Sequence, residues 1–235
     1  MKGSFILFIA FCFLIFSCKP NKTSIESDLV NKCITAHGGI DNWKSLKNTN
    51  YTKNITLFLE DGSVEKSISQ THHYINAEGL TGTIEWKDSL NRKVTYQKGT
   101  AYKTKGEQKE ENSQAALSTF NSAYYVLNMP WKLLDDGTHI TYEGLDTILN
   151  NKIVHTLKVE YPNAGKQEAW EYYLDKDEYQ LIANKVHHGT TYSLITNDSY
   201  FTYGGLKFNG KRTSYMVDSL GEVLYIRAKY EYIFE

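Results

Sequence analysis

Residues 222–234 alternate without a break. Leu224, Ile226, Ala228, Tyr230, Tyr232 and Phe234 share one face, and Arg227, Lys229 and Glu231 share the other. A period of two is the mark of a half-buried antiparallel strand, and it governs most of this chain. It predicts strands over 51–59, 63–75, 81–88, 92–98, 100–104, 139–148, 152–161, 168–175, 180–188, 192–203, 211–217 and 222–234. The breaks between them carry turn residues: Asp61-Gly62, Asn91, Lys98-Gly99, Asn150-Asn151, Asn163-Ala164-Gly165, Asp175-Lys176-Asp177, Gly204-Gly205 with Asn209-Gly210, and Ser219-Leu220-Gly221. Tyrosine stands at 18 positions and proline at only three, which suits long strands.

Two segments leave this pattern. Ile25, Leu29, Val30, Cys33 and Ile34 recur at helical spacing after a capping Ser24, and Gly38-Gly39 stops the helix. Cys33 falls on the apolar face, where packing is its role. A short second helix carries Ile40, Trp43 and Leu46. The other segment, 113–128, holds Ala116, Leu117, Phe120, Tyr124 and Leu127, with apolar residues around more than half its circumference. A surface helix needs a single apolar stripe, so this one has apolar neighbours on two sides. It follows a charged stretch, 105–112, read as a loop, and exits through Met129-Pro130-Trp131. A meander of strands with one apolar face must curl around something. The expected fold is mainly β with helices, an α+β class. A strongly curved antiparallel sheet of about 11–12 strands forms an unclosed barrel, with the N-terminal helix and a midchain lid helix on its concave side.

The start of the chain has a different logic. Lys2 is followed by the apolar run Phe5–Phe16, then Ser17 and Cys18. The run is shorter than the roughly 20 residues a spanning helix needs, and it fits a secretory signal. Ile15-Phe16-Ser17-Cys18 resembles a bacterial lipobox. That resemblance implies cleavage before Cys18, acylation of its sulfur and a membrane anchor, with Ile15 standing where Leu is usual. Lys19 after the cysteine resembles lipoproteins of the outer membrane. Alternatives are an uncleaved anchor or an ordinary signal peptide. The expected organisation is a signal peptide at 1–17, a lipidated tether at 18–24 and one domain at 25–235. Of the three cysteines, Cys12 leaves with the signal and Cys18 takes lipid, so Cys33 is left without a disulfide partner.

The motif Ala36-His37-Gly38-Gly39-Ile40-Asp41-Asn42-Trp43, running into a long strand, resembles the N-terminal part of proteins related to the outer-membrane lipoprotein-sorting carriers, the LolA/LolB/LppX-like superfamily. Tyr124-Tyr125-Val126-Leu127-Asn128-Met129-Pro130-Trp131 resembles the lid helix and exit of lipid-anchored members. The resemblance implies an unclosed barrel over an apolar cavity that holds acyl chains or lipids, and no enzymatic activity. The sorting carrier is soluble, whereas an anchor here points away from a shuttle.

The net charge of −1 supplies no field for nucleic acid, and nucleic acid is excluded as a partner. Seven histidines include the pairs His72-His73 and His187-His188. Strand neighbours point to opposite faces, and no metal motif is present, so these histidines read as solvent-face or rim residues. Glu110-Glu111 and Asp135-Asp136 read as solvated loop charges, and no nucleophile elbow or phosphate loop occurs. No cofactor is expected. Met and aromatics suit adaptable binding of flexible chains, so Leu117, Phe120, Tyr124, Leu127, Met129 and Trp131 are the candidate ligand-binding residues, facing either an apolar ligand or plain core. The expected function is an anchored cell-envelope protein, of the outer membrane and facing periplasm or surface, that binds a lipid, acyl chain or other apolar ligand. A ligand-free envelope scaffold, a metal-dependent hydrolase and a small outer-membrane barrel are the alternatives.

Overall fold

The computed structural model describes residues 24–110, 113–162 and 168–235. The expectations for the signal segment, Cys18 and most of the tether lie outside the described residues. Helix α1 spans Ile25–Ala36 and α2 Ile40–Ser45. Strands β1 (Asn48–Phe58), β2 (Val64–Ile75), β3 (Thr81–Trp86), β4 (Arg92–Gln97), β5 (Thr100–Lys105) and β6 (Gln108–Glu110) lead to α3 (Ser113–Leu127) and a 3₁₀ turn at Trp131–Leu134. There follow β7 (His139–Ile148), β8 (Lys152–Glu160), β9 (Glu168–Asp175), β10 (Leu181–His188), β11 (Thr191–Tyr203), β12 (Leu206–Val217) and β13 (Val223–Phe234).

The 13 strands form one antiparallel sheet in the order β6-β5-β4-β3-β2-β1-β13-β12-β11-β10-β9-β8-β7. Every pair but one is a local hairpin step. The exception is β1 with β13, where Tyr51 stands opposite Phe234 and Leu57 opposite Ala228. That pairing joins two meanders into an open half-barrel whose free edges are β6 and β7. The residues between those two strands must cross from one edge to the other, and α3 is what crosses. The lid position therefore follows from the connectivity.

Ser24 caps α1 by accepting from the Ser27 N–H at 3.2 Å. The helix ends in a Schellman motif, with Gly39 N–H on Ile34 O and Gly38 N–H on Thr35 O. Leu29, Val30, Cys33 and Ile34 are buried in one core with Tyr51, Tyr74, Phe120, Trp131 and Phe234. A smaller cluster, including Tyr173, Leu194 and Val217, covers the opposite face of the second meander.

Two strand details differ from expectation. The charged stretch contains β6, whose residues are all exposed and pair only with β5, through Lys103–Glu110 to Lys105–Gln108. An edge strand with no apolar face carries no alternation signal. Asn209-Gly210 is not a turn but lies inside β12, opposite bulges at Asn197–Tyr200 of β11. A Cβ on Gly210 would come within 2.9 Å of Ser199 Oγ, so the glycine marks a close strand approach.

The histidine reading needs a correction. His37 is 1% exposed and His72 is fully buried. His37 Nδ1–H donates to Lys207 O at 2.8 Å, and its Nε2 accepts from the Leu181 N–H at 3.1 Å, so one neutral ring ties the end of α1 to β10 and β12. His72 stacks on Tyr51 with ring centres 4.7 Å apart. Its two nitrogens meet Tyr74 Oη at 3.0 Å and Gln70 Oε1 at 3.3 Å. Burial pushes the pKa of His37 down to about 4. Burial, with Lys53 nearby, pushes that of His72 to about 3.

Candidate ligand site beneath the lid helix

Register assigns the two faces of the sheet. Tyr51, His72, Ile84 and Val94 stand opposite one another on neighbouring strands and face the helices. So do Phe234, Tyr232 and Tyr230 of β13. The concave face is thus a band of rings across the middle of the sheet, and α3 packs onto it from both edges.

On the first meander Phe120 stacks on Tyr96 of β4, ring centres 4.3 Å apart, and meets Tyr74 edge-on at 5.5 Å. Gly82 of β3 makes room for this, because a Cβ there would come within 3.0 Å of the Phe120 ring. Tyr124 packs on Tyr74 at 5.2 Å and donates its hydroxyl to Asn76 Oδ1 at 3.3 Å. On the second meander the Tyr125 hydroxyl bonds that of Tyr172 on β9, which also meets the Tyr161 hydroxyl at 2.7 Å. Burial pushes all three phenols above their ordinary range, that of Tyr161 to about 12, so they remain neutral hydrogen-bonding groups. Beyond α3, Trp131 stacks on Trp43 of α2 at 4.6 Å, and its indole N–H donates to Gly39 O at 3.3 Å.

Phe120, Leu127, Met129 and Trp131 are buried in the core, and Leu117 and Tyr124 are half-buried against it. All six candidate residues therefore gather under or along the lid. Between them and the sheet lies a void of about 10 Å³, bordered by Tyr51, Val126, Leu127, Phe208, Tyr232 and Phe234 among others. That is about the space of one water molecule. In this conformation the concavity is filled by the protein's own side chains, and anything the size of an acyl chain requires α3 to move.

A larger open groove of about 370 Å³ lies outside, where Asn54, Thr56, Lys211, Thr213 and Glu231 face away from the helices. Among its charges, Lys211 pairs with Glu231 at 3.4 Å and Asp198 accepts from the hydroxyls of Thr196 and Thr213 at 2.6 Å each, and Lys229 also lines it. Glu110 pairs with Lys103 and Asp135 with Lys132, as solvated charges would. Among the described residues no three His, Cys, Asp or Glu side chains converge as a metal site would require.

Sequence reasoning missed a polar layer beside the rings. Arg212 of β12, Asn184 of β10 and Asn197 of β11 are buried together on the concave side. Placing a turn at Asn209-Gly210 detached Arg212 from the inward series Leu206, Phe208, which is the signal that would have found it.

Residues 2–213 match the model of a family of unknown function, DUF6503. The chain belongs to DUF6503. A search of curated proteins finds no match. Among solved structures, this DUF6503 chain is similar to a LolA superfamily protein from Nitrosomonas europaea, at 6% identity and a TM-score of 0.54 over 88% of this chain and 90% of that one. It is similar to a DUF1329 family protein from Desulfovibrio piger at 7% identity and a TM-score of 0.51, over 89% and 91% of the two chains. A domain assigned to outer-membrane lipoprotein sorting, from Vibrio parahaemolyticus, aligns at 10% identity and a TM-score of 0.52, over 88% and 89%. At such identities the likeness is one of fold. The resemblance to the LolA-like superfamily read from the sequence holds at that level.

Proposed function

We propose that this DUF6503 protein is a lipid-anchored, non-enzymatic component of the cell envelope that takes a lipid, an acyl chain or another apolar ligand between α3 and the concave sheet. One observation carries the reading. Among the described residues, α3 bridges the two free sheet edges with no backbone hydrogen bond to any strand. The hydroxyls of Tyr124 and Tyr125 tie it to the sheet and its flank, and Leu117, Phe120, Ala123 and Val126 pack against the apolar core. A helix held this way exchanges its apolar contacts for those of a flexible chain without leaving backbone groups unpaired. Leu117, Phe120, Tyr124, Leu127, Met129 and Trp131 would line the ligand from the lid side. Burying ten methylenes gains about 8 kcal/mol, against which the costs of ligand ordering and lid displacement are set. The fold of the LolA-like neighbours supports the same reading.

Native mass spectrometry of protein extracted from its own membrane is expected to return an adduct of lipid mass. A homogeneous ligand-free mass, with in-cell crosslinks to one fixed protein, overturns it in favour of an envelope scaffold. The filled concavity, with its void of about 10 Å³, is the observation that favours that second reading. Anchoring has its own test. Metabolic labelling with fatty acid is expected to be lost in Cys18→Ala, and labelling that persists rejects Cys18 as the acylated residue.

A further inference from the structure

The concave side holds a buried cation with no acid beside it. Arg212 is 4% exposed. Its Nε donates to Asn197 Oδ1 at 2.9 Å and an Nη to Asn184 Oδ1 at 2.7 Å. Among the described residues no carboxylate pairs with it. Register puts Arg212 opposite Tyr230, and on the other flank of that ring Lys53 Nζ lies 5.2 Å from its centre. No aspartate or glutamate stands at an inward position of β1, β10, β11, β12 or β13. A guanidinium withdrawn from water and given only neutral amides is undercompensated.

A second observation points the same way. Asn184 is fully buried; its Oδ1 is taken by Arg212, while its Nδ2 has no hydrogen-bond partner. The spot therefore presents a positive charge bonded only to neutral amide oxygens and an idle N–H donor beside it. Asn184 stands opposite Tyr172 across β9–β10, and the Tyr172 hydroxyl pairs with that of Tyr125 on α3. The lid covers this spot.

We infer that Arg212 and Asn184 seat the carboxylate of a long-chain acid whose tail lies beneath α3, an inference that rests on the apolar-ligand reading. A carboxylate has one negative charge for the one guanidinium, and two oxygens for the guanidinium and amide donors. Lys53 lies on the far flank of the Tyr230 ring, so at the seat itself a phosphate monoester carries more charge than the guanidinium offsets. Entry of the acid displaces the Tyr125–Tyr172 contact, so headgroup capture and lid opening are one event.

The test is calorimetric titration of the purified full chain in detergent with hexadecanoic acid, its methyl ester and hexadecyl phosphate. The acid is expected to bind at least tenfold more tightly than either of the others. Asn184→Asp gives Arg212 an internal counter-charge and, because Nδ2 is unpartnered, sacrifices no hydrogen bond. It is expected to fold and to lose the preference for the acid over the ester. Equal binding of acid and ester, a preference for the phosphate, or a preference that survives Asn184→Asp overturns the carboxylate seat and leaves the apolar-ligand reading standing. Binding of none of the three overturns both.

Discussion

Urea unfolding is expected to show the protein about 5 kcal/mol less stable at about pH 4.5 than at about pH 7.5, from His37 and His72 together. Both rings are neutral in the fold, with pKa values pushed by burial to about 4 and about 3 from the usual 6.5. Once unfolded, each takes up a proton near its ordinary value. Between these limits the unfolded chain binds more protons, so stability rises with pH. It is fully present above about 6.5 and is lost as pH falls toward the folded-state values. Each unit of depression corresponds to about 1.4 kcal/mol, so each ring contributes about 2–3 kcal/mol over this window. Against a total stability of about 5–15 kcal/mol, such a loss brings the protein close to unfolding. A stability that stays flat down to about pH 5 would mean that one or both rings already carry a proton in the fold.

The second large effect separates two adjacent glycines. Gly38 has φ +103° and Gly39 φ +86°, so both lie where side chains are disfavoured. A Cβ on Gly38 would stand 2.3 Å from Gly205 O and 2.9 Å from Leu206 Cα, both backbone atoms. A Cβ on Gly39 would meet nothing within 4 Å. Gly38→Ala combines strain with a collision that no rotamer relieves, and is expected to cost about 4 kcal/mol. Gly39→Ala carries the strain alone, about 1–2 kcal/mol. Chemical denaturation of the two variants side by side checks this. Equal losses would show that the contact between α1 and the β11–β12 hairpin is not the constraint.

How far the sequence reached depended on the range of each interaction. Strand alternation and helical spacing are local, and they placed the helices and ten of the thirteen strands within about two residues, β1 and β12 starting earlier than expected and β6 being read as loop. Failures came where a residue's usual meaning was overridden by something distant. Gln108, Lys109 and Glu110 read as loop because an edge strand buries nothing. Asn209-Gly210 read as a turn, whereas Gly210 is required by the approach of β11. His72 read as a rim residue because the helices that bury it and the Tyr51 ring stacked on it belong to other elements, although Gln70 and Tyr74, which meet its nitrogens, lie on its own strand.

The candidate site divides along the same line. Its apolar half was visible in one segment, since Phe120, Tyr124, Leu127, Met129 and Trp131 are close in sequence and too apolar for a surface helix. Its polar half was not, because Asn184, Asn197 and Arg212 come from three strands and each alone is an ordinary polar residue.

Side-chain period, turn residues and composition were enough to settle that this chain is an antiparallel meander with helices on one face, because those signals act between near neighbours. They carry no information on how tightly a concavity is filled or on which buried donors lack acceptors. Only the packed structure decided that the lid closes on its own side chains around about 10 Å³ and that Arg212 sits beneath it without an acid. The first depends on the pairing of β1 with β13, which joins the two meanders, and the second on the register of β10, β11 and β12.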